Sequence, residues 1–383
     1  MKNVLLLTIG MFALGFDAYV IAGLLPEISE AFNINDSQAG QVVSVFTLCY
    51  ALAAPIFAAL LAGKSIRKIL VIALAIFSIA NGASALVPNF PLLLITRGIA
   101  GIGAGLFSPL ASVAASSLVS EQKRGRALGL ILGGMSMGTV VGVPLGLMIA
   151  KYTGWQGTFW SVALIGFIGM IGVAISFPNF STKAPPSLRQ RLVMMTNKHV
   201  LAIISITFLA SIASLGLYTY IASILQNVKG VNHITPYFWA WGIGGIVGSF
   251  SIGTLIDRTR RPAILLAGIL VILSLAMLSL PFTLRFPILM FLPIFLWGAM
   301  GWASQAPQQL ALLHSQPNHG EAAVALNSSA NYLGSAVGSA VGGFALYLGL
   351  KPSQLPFAAG SLILVAFLVQ LIIIYTTNRN FNK

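Results

Sequence analysis

Apolar residues run along this chain in long stretches, each close to the roughly 20 residues that carry an α-helix across a bilayer. Reading the stretches gives twelve expected spans, at 4–25, 39–62, 69–88, 91–118, 127–150, 157–177, 200–225, 236–256, 263–281, 287–312, 322–349 and 355–376. The longest polar break, about 178–199, carries Pro185, Pro186, Arg189, Arg191 and Lys198 and falls near the middle of the chain. It reads as a cytoplasmic linker between an N-terminal bundle at 1–177 and a C-terminal bundle at 200–383. The expected fold class is an all-α membrane protein, with twelve transmembrane helices in two pseudo-symmetric six-helix bundles.

Composition agrees with that pattern. Hydrophobic residues make up 57% of the 383 positions and charged residues 7%, with a mean hydropathy of +0.92. A soluble domain carries about 25% charged residues, so this chain could not cover a water-facing surface. The first apolar run follows Lys2 in the manner of a signal peptide. No small-residue cleavage site follows it and Asp17 interrupts it, so it reads as an uncleaved first span. The lone cysteine, Cys49, permits no internal disulfide and is silent on redox compartment.

The net charge of +14, from 21 Lys+Arg against 7 Asp+Glu, raises the question of nucleic acid. The basic residues sit in short clusters between apolar runs, so they read as topology signals and no nucleic-acid partner is expected. With the N-terminus placed in the cytoplasm, sixteen Lys/Arg fall on the inner side. Only Lys151, Lys229, Arg285 and Lys351 fall outside, and Arg97 alone lies within a span. The asymmetry predicts both termini inside.

The halves share an internal pattern. Gly138, Gly142 and Gly146 in span five recur 196 residues later as Gly334, Gly338 and Gly342 in span eleven. Lys64 and Arg67 after span two recur 194 residues later as Arg258 and Arg261 after span eight. Two matches at nearly one offset argue for duplication, and parallel repeats around a midplane site are a transporter architecture.

Asp17 is the one acid placed well inside a span. A carboxylate in a bilayer is costly, so it should face a cavity or a partner. It lies roughly 12 Å, and Arg97 roughly 9 Å, from the outer ends of spans one and four at 1.5 Å per residue. At matching depths the two could meet if spans one and four are neighbours, either as a fixed lock between helices or as a protonation switch with Asp17 carrying the coupling proton and Arg97 tuning it. Glycines spaced by four, beside Pro144, let a second helix approach closely; Gly138, Gly142 and Gly146 read either as tight packing or as a rocking seam. Asp257, Arg258 and Arg261 close span eight. They read either as inside-positive topology residues or as a latch in which Asp257 caps a helix N-terminus.

Amides and aromatic residues gather in the second half. Tyr218 and Tyr220 in span seven, Trp297, Gln305, Gln308 and Gln309 in span ten, and Asn327 and Asn331 in span eleven are candidate substrate contacts, together with Tyr19 in span one. Such walls suit a flat or amphipathic, mostly uncharged solute. Trp155, Tyr237 and Trp239 fit an interfacial belt instead. Gly134-Met-Ser136-Met-Gly138 matches the G-x-S-x-G hydrolase pattern, but on a transmembrane helix rather than a strand-to-helix turn. The four histidines fall in loops or at span ends, and neither HExxH nor a P-loop is present. No enzyme, metal site or cofactor is expected, with the proton as coupling ion.

Several stretches resemble the major facilitator superfamily, and within it the bacterial twelve-span drug/proton antiporters of the arabinose- and purine-efflux branch. Gly23-Leu-Leu-Pro26-Glu27-Ile28 with Ala39-Gly40 is similar to that branch's opening. Arg97-Gly98-x2-Gly101 resembles the span-four motif whose arginine is linked to proton transfer. Gly138-x3-Gly142-Val143-Pro144-x-Gly146 resembles the antiporter motif of span five, and Gly154-Trp155-Gln156 the Gly-Trp-Arg signature that follows it. Gly253-x-Leu255-x-Asp257-Arg258-x2-Arg261 resembles the inner-loop gating motif. Ala306-Pro307-Gln308-Gln309 and Asn327-x-Ser329-Ala330 resemble the purine-efflux branch. The chain departs from the pattern at Gly63, where the superfamily usually has aspartate, at Gln156, and at Ala18, where related efflux proteins often carry an acid.

The resemblance implies two bundles around a central cavity lined by spans 1, 4, 7 and 10, alternating access, and a monomer in a bacterial cytoplasmic membrane. Its partners would be a small-molecule substrate, protons and the lipid bilayer. The leading expectation is efflux of a drug or metabolite by proton antiport. The alternative is proton-coupled or facilitated uptake of a nucleoside- or sugar-like nutrient. A non-transporting sensor would need longer extramembrane segments than these.

Overall fold

The computed structural model describes residues 2–61, 64–120, 123–180, 188–316 and 319–381. Ala62, Gly63, Glu121, Lys183, Pro185, Pro186 and Lys383 lie outside the described residues, as do the side chains of Lys2, Glu321 and Arg379. Chain contacts divide the molecule into two units, Met1–Leu188 and Arg189–Lys383.

In the first unit, α1 (Lys2–Phe32), α2 (Asp36–Ala39), α3 (Gln41–Leu61), α4 (Ile66–Ser84) and α5 (Phe90–Ser117) carry spans one to four. Polar caps set their starts: Asn35 accepts from the Gln38 amide, and Asn89 accepts from the Leu92 amide, satisfying donors that a helix leaves free at its first turn. Then α6 (Arg124–Met137), a π-helical turn at Gly138–Gly142 and α7 (Val143–Ser176) follow without a loop. The sequence suggests a polar break at 151–156. The chain instead turns at a single residue, Gly154, whose φ of +71° is open to glycine and strained for other residues. Beside it, Trp155 is buried against Phe32 and Phe159.

The second unit holds α8 (Leu188–Met194), α9 (Lys198–Thr219), α10 (Ile221–Gln226), α11 (Thr235–Thr259), α12 (Pro262–Thr283), α13 (Phe291–Ala303), α14 (Gln305–Ser315), α15 (Gly320–Tyr347) and α16 (Leu355–Phe381). Expected span seven is broken at Tyr220 and span ten at Ser304. The second break has a local cause: Pro307 has no amide hydrogen to give the Ala303 carbonyl. On α8, Arg191 is buried and donates to the Ala325 carbonyl and to Ser329 Oγ, anchoring this part of the linker to α15. Burial pulls its guanidinium below the usual arginine range.

Among the described residues, nine helical stretches are long and apolar enough to cross a membrane. The 53-residue stretch Arg124–Ser176 contains two crossings joined at Gly154. The pair α13–α14 and the 28-residue α15 complete twelve spans in two six-helix bundles.

The internal repeat is visible in the packing. A methyl group added at Gly138 would strike the Phe12 carbonyl of α1; one added at Gly338 would strike the Ile212 carbonyl of α9. At Gly334 it would come within 2.7 Å of the Phe208 carbonyl, 196 residues after Phe12. Further along the same face, Gly142 and Gly146 meet the Phe16 ring, and Gly342 meets the Tyr220 ring. Both glycine stripes therefore serve one purpose: they let the first helix of each bundle lie backbone-close against the fifth.

Candidate functional site

Two polar sites lie inside apolar surroundings, one in each bundle. The first is a closed cluster of three side chains. Asp17 sits halfway along α1, Asn81 near the end of α4 and Arg97 in the second turn of α5. All three are fully buried. Arg97 Nη1 donates to Asp17 Oδ1 at 2.8 Å and to Asn81 Oδ1 at 2.9 Å. Asn81 Nδ2 donates to Asp17 Oδ2 at 3.3 Å and to the Phe77 carbonyl at 3.0 Å. Each residue touches the other two, so the carboxylate is held at both oxygens.

Apolar walls complete this cluster. The guanidinium carbon of Arg97 lies 4.4 Å from the ring centre of Phe46 on α3 and 5.2 Å from that of Phe159 on α7. A cation facing ring faces in a dry setting gains electrostatic attraction. Nε and Nη2 of Arg97 have no hydrogen-bond partner among the described residues. The cluster therefore holds spare donor capacity next to a buried acid–base pair. Removing one partner of a buried pair leaves an uncompensated charge, which costs about 3–5 kcal/mol.

The spans that carry Asp17 and Arg97 are neighbours, and the two side chains meet as their depths allow. Asn81 was missed. Its signal was an amide inside the otherwise apolar 69–88 run, weaker than a charge because a single Asn can satisfy itself on its own helix, as it does here on Phe77. At the 196-residue offset the second bundle has Ala213, Met277 and Pro293. The repeat thus preserves packing while the charges belong to one half.

The second site is a polar seam along α9. Thr207, Ser211, Ser214 and Tyr218 follow at helical spacing on one face. Thr207 Oγ1 donates to Gln308 Oε1 at 2.6 Å, and Ser211 Oγ donates to Asn331 Oδ1 at 2.6 Å. Trp297 Nε1 donates to Ser214 Oγ at 2.7 Å. Tyr218 packs against Trp241 at 4.4 Å between ring centres and against Phe238 and Trp297. Gln305 Nε2 reaches Asn331 Oδ1 at 3.4 Å. Gln308 Nε2 and Asn327 Oδ1 are buried with no hydrogen-bond partner among the described residues. The seam offers one unused amide donor and one unused amide acceptor beside an aromatic wall.

The other candidates fall elsewhere. Gln309 is exposed. Tyr220 donates its hydroxyl to the Ser339 carbonyl at 2.6 Å and is buried under Gly342. Tyr19 is half-buried in the first bundle. Pro144 is buried in the first turn of α7. Asp257, Arg258 and Arg261 are exposed, and the cap expected of Asp257 is not formed at the adjacent helix start. Arg261 occupies the N-cap of α12 with no side-chain cap bond. The reason is that α11 continues to Thr259, and a helical side chain at Asp257 points back along its own helix. Among the described residues no group of three or more His, Cys, Asp or Glu is close enough to share a metal ion.

The chain matches the family model described as Major Facilitator Superfamily over residues 7–339. It is 30% identical over 373 residues to the inner membrane transport protein YdhP of Escherichia coli K12, covering 95% of both chains. It is 28% identical over 375 residues to a chloramphenicol resistance protein of Streptomyces lividans, covering 95% of this chain and 94% of that one. A solved structure of the E. coli xylose transporter XylE in a partially occluded inward open conformation superposes with a TM-score of 0.72 at 18% identity over 96% of both chains.

Proposed function

Because this chain belongs to the major facilitator superfamily and is a multi-pass membrane transporter rather than an enzyme, we propose that it exports a small, uncharged organic compound in exchange for protons. The observation that carries the proposal is the buried Asp17–Asn81–Arg97 cluster. In this reading a proton arriving at Asp17 cancels its attraction for Arg97, loosening the hold of α1 on α4 and α5. Loss of the proton restores it. Movement of α1 would run along the glycine seam of Gly138, Gly142 and Gly146, where the helix backbone passes close at Gly138 and Phe16 is the ring that has to slide over Gly142 and Gly146. The π-helical turn at Gly138–Gly142 supports this use, since such bulges cluster at functional sites.

The substrate would lie against the α9 seam. No acid falls within residues 200–256 or 258–320, which favours a neutral solute over a cation. Gln308 and Asn327 would supply directional contacts, and Tyr218 and Trp297 the flat wall. The name of the Streptomyces relative makes amphenicols one class to screen, beside purines, sugars and siderophores, by thermal shift of purified protein. The protein would act as a monomer in the bacterial inner membrane, both termini cytoplasmic.

Inverted vesicles carrying the protein test the direction and the coupling together. Antiport gives substrate accumulation driven by an acidic lumen and accompanied by proton release. Asp17→Asn should abolish gradient-driven accumulation. Undiminished accumulation by Asp17→Asn would remove the carboxylate from the role.

A further inference from the structure

Three of the four basic residues that break the inside-positive pattern come together in one place. Lys229, Arg285 and Lys351 all line a cavity of about 710 Å³ in the second bundle. They arrive there from three separate connections: the segment after α10, the end of α12, and the turn before α16. The cavity lies at the end of the bundle remote from the linker, the outer end in the orientation that the Lys/Arg count predicts.

Among the described residues nothing neutralises the three cations. From residue 189 to the C-terminus the chain has two acids, Asp257 and Glu321. Both belong to the opposite end, one in the last turn of α11 and the other in the first turn of α15. Among the described residues none of the three cations makes an ion pair or a side-chain hydrogen bond. Like charges sharing a cavity repel, and an outer loop gains nothing in topology from Lys or Arg. The remaining wall is partly apolar, with Ile224, Leu284, Pro281 and Phe357. Just outside, Phe282 and Phe286 are 71% and 59% exposed, as suits side chains that lie in lipid.

We propose that this cavity binds a phosphate-bearing anion, with Lys229, Arg285 and Lys351 contacting the phosphate. Two sources share that chemistry: the headgroup of an acidic phospholipid in the outer leaflet, with its acyl chains over Phe282 and Phe357, and a free phosphate or organic phosphate from the outer medium. A basic residue near an anionic lipid surface strengthens binding by roughly fivefold, so the three together confer a large preference.

The test uses the full-length protein in nanodiscs of phosphatidylcholine doped with phosphatidylglycerol, with bound lipid counted by native mass spectrometry. Inorganic phosphate and glycerol phosphate are titrated in parallel by thermal shift. A lipid site predicts retention of phosphatidylglycerol over phosphatidylcholine, with roughly fivefold loss of preference in each of Lys229→Gln, Arg285→Gln and Lys351→Gln. A soluble-anion site predicts no lipid preference but a saturable thermal shift with glycerol phosphate that the same variants abolish. Lys151→Gln, a basic residue of the other bundle, should change neither readout. Equal binding of all probes by the triple variant and the parent, or binding of none by the parent, overturns the proposal.

Discussion

Asn81 Oδ1 lies 2.9 Å from Arg97 Nη1, and through this contact α4 shares in the ion pair between α1 and α5. The amide also donates to the second carboxylate oxygen, so it acts as a bridge between the two charges. Replacing it with Leu keeps the branched shape and removes both bonds. Buried groups left without partners cost about 1–3 kcal/mol. Asn81→Leu should therefore lower the unfolding midpoint of purified protein, while Asn81→Asp, which accepts from Arg97 but puts a second acid beside Asp17, should disturb transport more than stability. Equal transport by all three proteins would show that Asn81 is only a packing element.

The glycine stripe gives a prediction with its own control. A Cβ at Gly138 would meet the Phe12 carbonyl, and one at Gly142 would come within 2.9 Å of Phe16 Cβ. Backbone and a packed ring leave little room to relax, and overpacking costs about 1–3 kcal/mol. Gly125 and Gly129 lie on the same continuous helix with nothing within 4 Å of an added Cβ. There alanine should be neutral, or stabilise by up to about 1 kcal/mol through helix propensity. Thermal melts of Gly138→Ala and Gly142→Ala against Gly125→Ala and Gly129→Ala check this contrast. A uniform response across the four would mean that helix propensity, not the approach of α1, governs these positions.

How far the sequence reached follows from the cost of each feature. The spans were legible because a lipid-facing helix cannot hide polar residues, and Asp17 and Arg97 stood out because a charge in an apolar run needs a partner. Matching depth along two helices allows them to pair only if spans one and four are neighbours, and the fold makes them so. Asn81 was not legible, since an amide is mild in composition and its partners belong to other helices. The break at Ser304 was encoded by Pro307 three residues later. The break at Gly154 was obscured because a single residue did the work expected of a loop. No Asp257 cap forms at the start of α12, because the exact end of α11, which the pattern leaves open, sets which way that carboxylate faces.

The α9 seam can be tested by a double-mutant cycle. Thr207→Val removes the donor to Gln308 Oε1, and Gln308→Leu removes the acceptor. Each single change should cost about 1 kcal/mol or more, because each strands a buried polar group. The pair together should cost less than the sum, as residues in direct contact couple. If Gln308 Nε2 meets the transported solute, Gln308→Leu should also raise KM with kcat little changed, the sign of lost uniform binding. Thr207→Val should leave KM nearly as it was. Identical kinetic effects of the two would place both residues in structure alone.

A fixed lock and a proton switch make the same contact between Asp17 and Arg97, so single substitutions confound them. Asp17→Asn strands the guanidinium and should destabilise by about 3–5 kcal/mol; lost transport could then follow from poor folding. The double variant Asp17→Leu with Arg97→Met removes both charges and fills similar volume. Apolar replacement of a whole buried pair is often neutral or stabilising, so its melting temperature should return to within a few degrees of the parent. A structural lock predicts that transport returns with stability. A proton-coupling role predicts the opposite: a well-folded protein that still binds substrate, equilibrates it down its own gradient, and no longer accumulates it when an acidic lumen is imposed. Accumulation restored in that variant would assign the pair to holding α1 against α5 and nothing more.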